Sequence, residues 1–234
     1  MQRPRTPAQL SESIQQQLNM YALAAGAAGV SFLALAQPAQ AKIVYTAAHV
    51  KIGAGGVGSY DLDLNRDGVT DFSLSTGGSC DVVRCFYSFN VYGKARSNGI
   101  VFEGRGRGRK LAQAMPRGAA IGVQRHFGSE GGMADATYFT TGKGYVTGHW
   151  LDATNRYLGL TFQVNGATHY GWARLSVEVV KQPWSVSATL TGYAYETIPN
   201  RPIIAGRTHG KDDAKDASLG ALAAGAPFSA RRQK

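Results

Sequence analysis

The sequence predicts an all-β fold: an antiparallel β-sandwich of jelly-roll or lectin-like type, one domain following an N-terminal signal helix. Three observations carry this. Apolar and polar residues alternate in short runs, as in Tyr157–Val164, where Leu158, Leu160, Phe162 and Val164 share one face. Turn signals recur between the runs, and Asn165-Gly166 is a strong hairpin turn. No segment of the domain sustains a long helical period, so short strands and glycine turns set the class.

Residues 1–41 read as an export signal. Arg3 and Arg5 lie on a polar leader, and residues 21–36 form an uncharged apolar run. Ala39-Gln40-Ala41 then gives a small-x-small cleavage site ahead of Lys42. The run is shorter than the ~20 residues of a comfortable membrane span, so cleavage after Ala41 is expected and no stable transmembrane anchor should remain. The β-domain is assigned to residues 42–206. Residues 207–234 are read as a polar linker and a short tail.

The formal net charge is +10 at pH 7, and removing Arg3, Arg5 and Glu12 with the leader lowers it by only one. A basic exported protein favours acidic partners such as acidic polysaccharide or another surface polyanion. Arg105, Arg107, Arg109 and Lys110 concentrate positive charge on a glycine-interrupted backbone and are the candidate polyanion contact. The run lacks interleaved aromatics for stacking bases, so no specific nucleic acid is implied.

Within the domain, Lys42–Thr46 is a first strand and Gly53–Gly58 a glycine-rich turn. Tyr60, Leu62 and Leu64 alternate with Asp61 and Asp63, and alternation resumes over Val69–Leu74. Between them Asp63, Asn65, Asp67, Val69 (through its carbonyl) and Asp71 offer oxygens around Gly68. Calcium takes six to eight oxygens at ~2.3–2.6 Å, which a tight loop can supply from alternate residues. The helix–loop–helix version needs a glutamate where Leu74 stands, so this is a loop between strands. The other reading is an Asx turn closing a hairpin without metal. Either way the role is structural.

Cys80 and Cys85 are the only cysteines. Outside the cytoplasm such a pair most simply forms a disulfide, a small ring contributing roughly 2 kcal/mol. Zinc is the alternative, although no histidine lies near in sequence. Phe86–Tyr92 mixes aromatic and small polar residues as a further strand. Only Lys110–Met115 has helix propensity, ended by Pro116.

After the Asn165-Gly166 turn, Ala173, Leu175, Val177 and Val179 fall on one face, with Tyr170, Trp172, Arg174 and Glu178 on the other. Val186–Tyr195 is a last strand with Val186, Ala188 and Leu190 inward. Tyr170, Trp172, Tyr193 and Tyr195 are the candidate glycan platform, because aromatic faces grip sugars; burial between layers is the competing reading.

A polysaccharide hydrolase needs two carboxyls ~5–9.5 Å apart. Glu103, Glu130, Asp135, Asp152, Glu178 and Glu196 form no close strand pair in sequence, and neither a Gly-x-Ser-x-Gly elbow nor a His-Glu-x-x-His helix occurs. No enzyme is expected.

Two resemblances add to this. Asp-x-Asn-x-Asp-Gly-x-x-Asp at 63–71 resembles the short calcium loops of FG-GAP and VCBS-type extracellular repeats, with Arg66 a departure; it implies structural calcium on the five ligands named. Tyr157–Val164, His169–Leu175 and Gly192–Pro199 resemble a group of exported bacterial proteins of the PEP-CTERM-associated type, for which no activity is known. Leu219–Phe228 followed by Arg231-Arg232 has the order of a sorting tail, without the Pro-Glu-Pro motif. The second resemblance implies secretion or surface display: periplasm, cell surface or extracellular matrix.

Overall fold

A computed structural model describes residues 42–53, 58–103, 110–181 and 183–210. The signal reading of 1–41 and the sorting-like tail over 211–234 lie outside them. The described residues contain strands and turns and no helix. In chain order the strands are β1 (Ile43–Ile52), β2 (Ser59–Leu62), β3 (Phe72–Cys80), β4 (Arg84–Gly93), β5 (Gly99–Glu103), β6 (Leu111–Ala112) and β7 (Ala120–Ile121). Then follow β8 (Phe127–Gly128), β9 (Glu130–Phe139), β10 (Gly144–Thr147), β11 (Arg156–Val164), β12 (Ala167–Lys181), β13 (Trp184–Glu196) and β14 (Ile203–Ile204).

Twelve strands form one continuous sheet in the order β1-β13-β12-β11-β5-β6-β9-β4-β3-β2, with β10 on β9 and β8 on β5. Pairing is antiparallel except between β6 and β9. The sheet curls back on itself, so β13 approaches β4 and β9, and β1 approaches β3. One apolar core fills the inside. Leu74, Phe89, Val91 and Met133 come from one half, and Leu158, Leu160, Phe162, Leu175 and Leu190 from the other. The all-β fold is as the alternation predicts, but the layers are joined through β5, β6 and β9.

The β11–β12 hairpin follows from local chemistry. Asn165 and Gly166 both adopt positive φ, 51° and 78°, which matches the twist of the flanking strands. Val164 then pairs with Ala167, and the register runs unbroken to Arg156 and Leu175. That register sends Leu158, Leu160, Phe162, Ala173, Leu175 and Val177 inward together.

The β12–β13 pair is regular until a bulge. Leu175 pairs with Leu190, but Arg174 pairs with Gly192, leaving Thr191 as the extra residue. Arg174 fixes it: its Nε donates to Thr191 Oγ1 at 2.7 Å, and that hydroxyl donates to the Arg174 carbonyl at 3.2 Å. One extra residue reverses which side chains face inward.

Lys110–Met115 forms no helix, contrary to its propensity. Leu111 and Ala112 pair with Glu103 and Phe102, Gln113 N–H donates to Val101 O, and Trp150 Nε1 donates to Ala112 O at 3.0 Å. A six-residue segment gains little as an isolated helix, whereas these pairings satisfy its backbone inside the core.

Candidate functional site

The acidic loop connects β2 to β3 and is held from both ends. Leu64 is buried in the core and Asp71 beside it is 7 % exposed. Leu64 N–H donates to Asp71 Oδ2 at 2.8 Å, while Asp71 N–H donates to Leu62 O. The Asp71 carbonyl accepts from Asn98 Nδ2 and Lys94 N–H. Between these anchors the chain turns through positive φ at Arg66 (61°) and Gly68 (88°). Asp63 caps the turn by accepting from Arg66, Asp67 and Gly68 N–H. Asp67 accepts from Val69 N–H and from Asn65 Nδ2, both at 2.8 Å.

The electrostatics of the loop are uneven. Burial pushes the Asp71 carboxyl up to about 6, the Leu64 amide opposes this, and the charges of Asp63 and Asp67 add to the rise. Asp67, fully exposed, is held below the ordinary carboxylate range by the Asn65 amide and the Val69 N–H. The negative end of Asp67 in turn raises the Tyr195 phenol, after burial. Asn65 Oδ1 is buried and has no hydrogen-bond partner, which is costly for an amide oxygen. Among the described residues no group of three or more His, Cys, Asp or Glu side chains is arranged to hold a metal ion. Several of the loop's carboxylate oxygens are engaged by backbone amides.

Cys80 and Cys85 are bonded to each other and are directly paired across the β3–β4 hairpin. Asp81 closes the turn by accepting from Val83 and Arg84 N–H. Arg105, Arg107 and Arg109 lie outside the described residues. Lys110 is exposed, with its Nζ 5.3 Å from the centre of the Phe102 ring.

The expected aromatic platform is not formed. Trp172 is fully buried, and Tyr170 and Tyr193 are each 6 % exposed. Tyr170 and Trp172 lie on the outer side of β12, in a second apolar cluster with Tyr157, Met115, Ile121, Ile203 and Ala205. Trp172 meets Tyr157 edge-on at 5.2 Å, and its Nε1 donates to Arg207 O. Tyr193 and Tyr195 pack instead on the main core. The bulge at Thr191 explains the split, since Tyr193 pairs with inward Ala173, and Trp172 with Ala194.

Of the candidate acids, Glu103, Glu130, Asp152 and Glu178 are exposed and Asp135 and Glu196 buried, and Glu103, Asp152 and Glu196 have local partners. Glu103 lies 3.2 Å from His149, Asp152 accepts from Val179 N–H, and buried Glu196 is 3.9 Å from Arg201. His169 is buried, with its Nδ1 2.9 Å from the Glu196 carbonyl. Arg174 binds the Thr191 bulge.

A cleft that the sequence reading did not assign lies on the outer face of β4. Phe86, Ser88, Asn90 and Tyr92 line it with Lys110, Glu130 and the backbone of Gly131 and Gly132, around about 430 Å³. The signal was present in Phe86–Tyr92, where every second residue faces away from inward Phe89 and Val91. No protein-family model, curated protein or solved structure matches the chain.

Proposed function

We propose that this is an exported cell-envelope or matrix protein with a structural or binding role, in which the Asp63–Asp71 loop takes a calcium ion as a staple. The observation that carries the cation reading is Asn65 Oδ1, a buried amide oxygen without a partner in the loop that also carries Asp63, Asp67 and Asp71. Rotating that amide would bring an oxygen towards the Asp67 carboxylate, where a cation between them would relieve the repulsion. Asp63, Asn65, Asp67, Asp71 and the Val69 carbonyl are the ligand set, and the ion would fix the loop joining β2 to β3. The leader, the Cys80–Cys85 bond and the likeness to PEP-CTERM-associated proteins support export. A non-catalytic role is favoured by the local partners of Glu103, Asp152 and Glu196.

The test is calorimetric titration of calcium into the chelator-treated full chain, with thermal unfolding alongside. An affinity of ~0.1–1 mM suits an extracellular module, and calcium at a hundredfold excess over Kd stabilises by about 2.7 kcal/mol. Asp67→Asn should abolish both signals. Unchanged heats and melting temperature in calcium would remove the staple from the account.

A further inference from the structure

We propose that the outer face of β4 is a binding cleft for a neutral oligosaccharide, gripped by Phe86 and Tyr92 and read by Ser88, Asn90, Lys110 and Glu130. This goes beyond the cation staple and does not depend on it.

The shape comes from the strand pairing. At the outward positions of β4, the β3 neighbours of Phe86, Ser88, Asn90 and Tyr92 are Ser79, Gly77, Ser75 and Ser73. On β9 they are Thr137, Asp135, Gly132 and Glu130. On the β3 side the neighbours are therefore all serine or glycine, and on β9 Gly132 faces Asn90, so a trough opens between the two rings. Gly131 also packs tightly: a Cβ there would come 2.9 Å from that of Ala112. The resulting volume falls within the ~300–1,000 Å³ of small-ligand sites.

The rings remain open to solvent: Phe86 is 36 % and Tyr92 41 % exposed. They stand six residues apart on one strand, roughly 20 Å at ~3.3–3.4 Å per residue. That span suits a chain of sugar rings better than a single one. Between them the polar groups are already ordered, because Asn90 Nδ2 donates to Ser88 Oγ at 3.0 Å and Ser88 is itself buried. A preformed pair lowers the ordering cost of binding.

The lining also selects the ligand. A sugar has an apolar C–H face and a rim of hydroxyls, which aromatic faces and short polar groups complement together. Among the described residues the lining sets Lys110 against Glu130, with Asp135 paired beside Ser88 on β9, so these groups do not favour a polyanion. Nucleic acid would require several cations to position phosphates, and a wholly apolar ligand would strip water from the Glu130 carboxylate without replacing it.

The test uses the full chain, immobilised and probed with neutral gluco-, xylo- and manno-oligosaccharides of four to six residues, against polyuronate and duplex DNA. The expected result is salt-insensitive binding of at least one neutral oligosaccharide. Phe86→Ala and Tyr92→Ala should each weaken it at least tenfold, and Asn90→Ala a few-fold. Tyr145→Ala, an exposed aromatic outside the cleft, should leave it unchanged. Phe86→Leu and Tyr92→Leu keep apolar bulk but lose the ring face, so they should lose binding while retaining the wild-type melting temperature. Failure to bind any neutral oligosaccharide would overturn the proposal, as would binding indifferent to both ring substitutions. Salt-sensitive retention of polyuronate or DNA alone would also overturn it.

Discussion

Two strands of this protein carry aromatic residues on their outer faces, and they end in opposite conditions. On β12, Tyr170 and Trp172 are covered by Met115, Ile121, Ile203 and Ala205, and Trp172 is fully buried. On β4, Phe86 and Tyr92 remain a third or more exposed, with serine and glycine beside them on β3. Alternation places both pairs outward equally well. What separates a second core from a ligand-facing surface is whether another part of the chain crosses it.

The contrast predicts that ring removal costs stability on one strand and binding on the other. Trp172→Ala should destabilise by about 3–5 kcal/mol, the range for deleting a buried aromatic, as read by denaturant unfolding. If the loss is under 1 kcal/mol, the cover over β12 is not packed as described.

Charge sharpens the comparison, because the half of the sheet carrying the open face also carries Asp71. Its carboxyl is raised to about 6 from the usual 3.8. The folded state therefore holds more protons than the unfolded state between those values. Without calcium, the stability that Asp71 contributes should be fullest below about pH 4 and be lost as pH rises to about 6, by on the order of 2–3 kcal/mol. Asp71→Asn should flatten that segment of the pH profile, and bound calcium should oppose it by favouring the carboxylate.

The Cys80–Cys85 bond closes the β3–β4 hairpin next to Phe86. Replacing both cysteines with serine should cost roughly 2 kcal/mol, and hydrogen exchange should quicken in β3 and β4 more than in β11 and β12. Equal quickening in both hairpins would mean that the bond does not act locally. The smallest effect should come from Tyr92→Ala, at most about 1 kcal/mol of stability, measured by the same unfolding assay.

Legibility in the sequence followed how locally each feature is determined. The β11–β12 hairpin was readable because Asn165-Gly166 fixes the turn and the turn fixes the register. The Cys80–Cys85 pairing was readable for the same reason. The fate of Trp172 was not, since its cover comes from residues near 115–121 and 203–207. Tyr193 was misplaced because the Thr191 bulge arises from strand pairing and leaves no mark in the alternation. At the acidic loop the oxygen-bearing residues were visible, but backbone amides compete for the same oxygens, so their direction is a matter of geometry. The helix propensity of Lys110–Met115 is overridden because its pairing partners lie elsewhere in the chain.

Hydroxyl-radical footprinting of the full chain, with residue-level rates for aromatic oxidation, compares the two faces in one sample. The account predicts that Phe86 and Tyr92 react at least tenfold faster than Tyr170 and Trp172, after correction for intrinsic reactivity. Equal rates, or faster oxidation of Trp172, would contradict it.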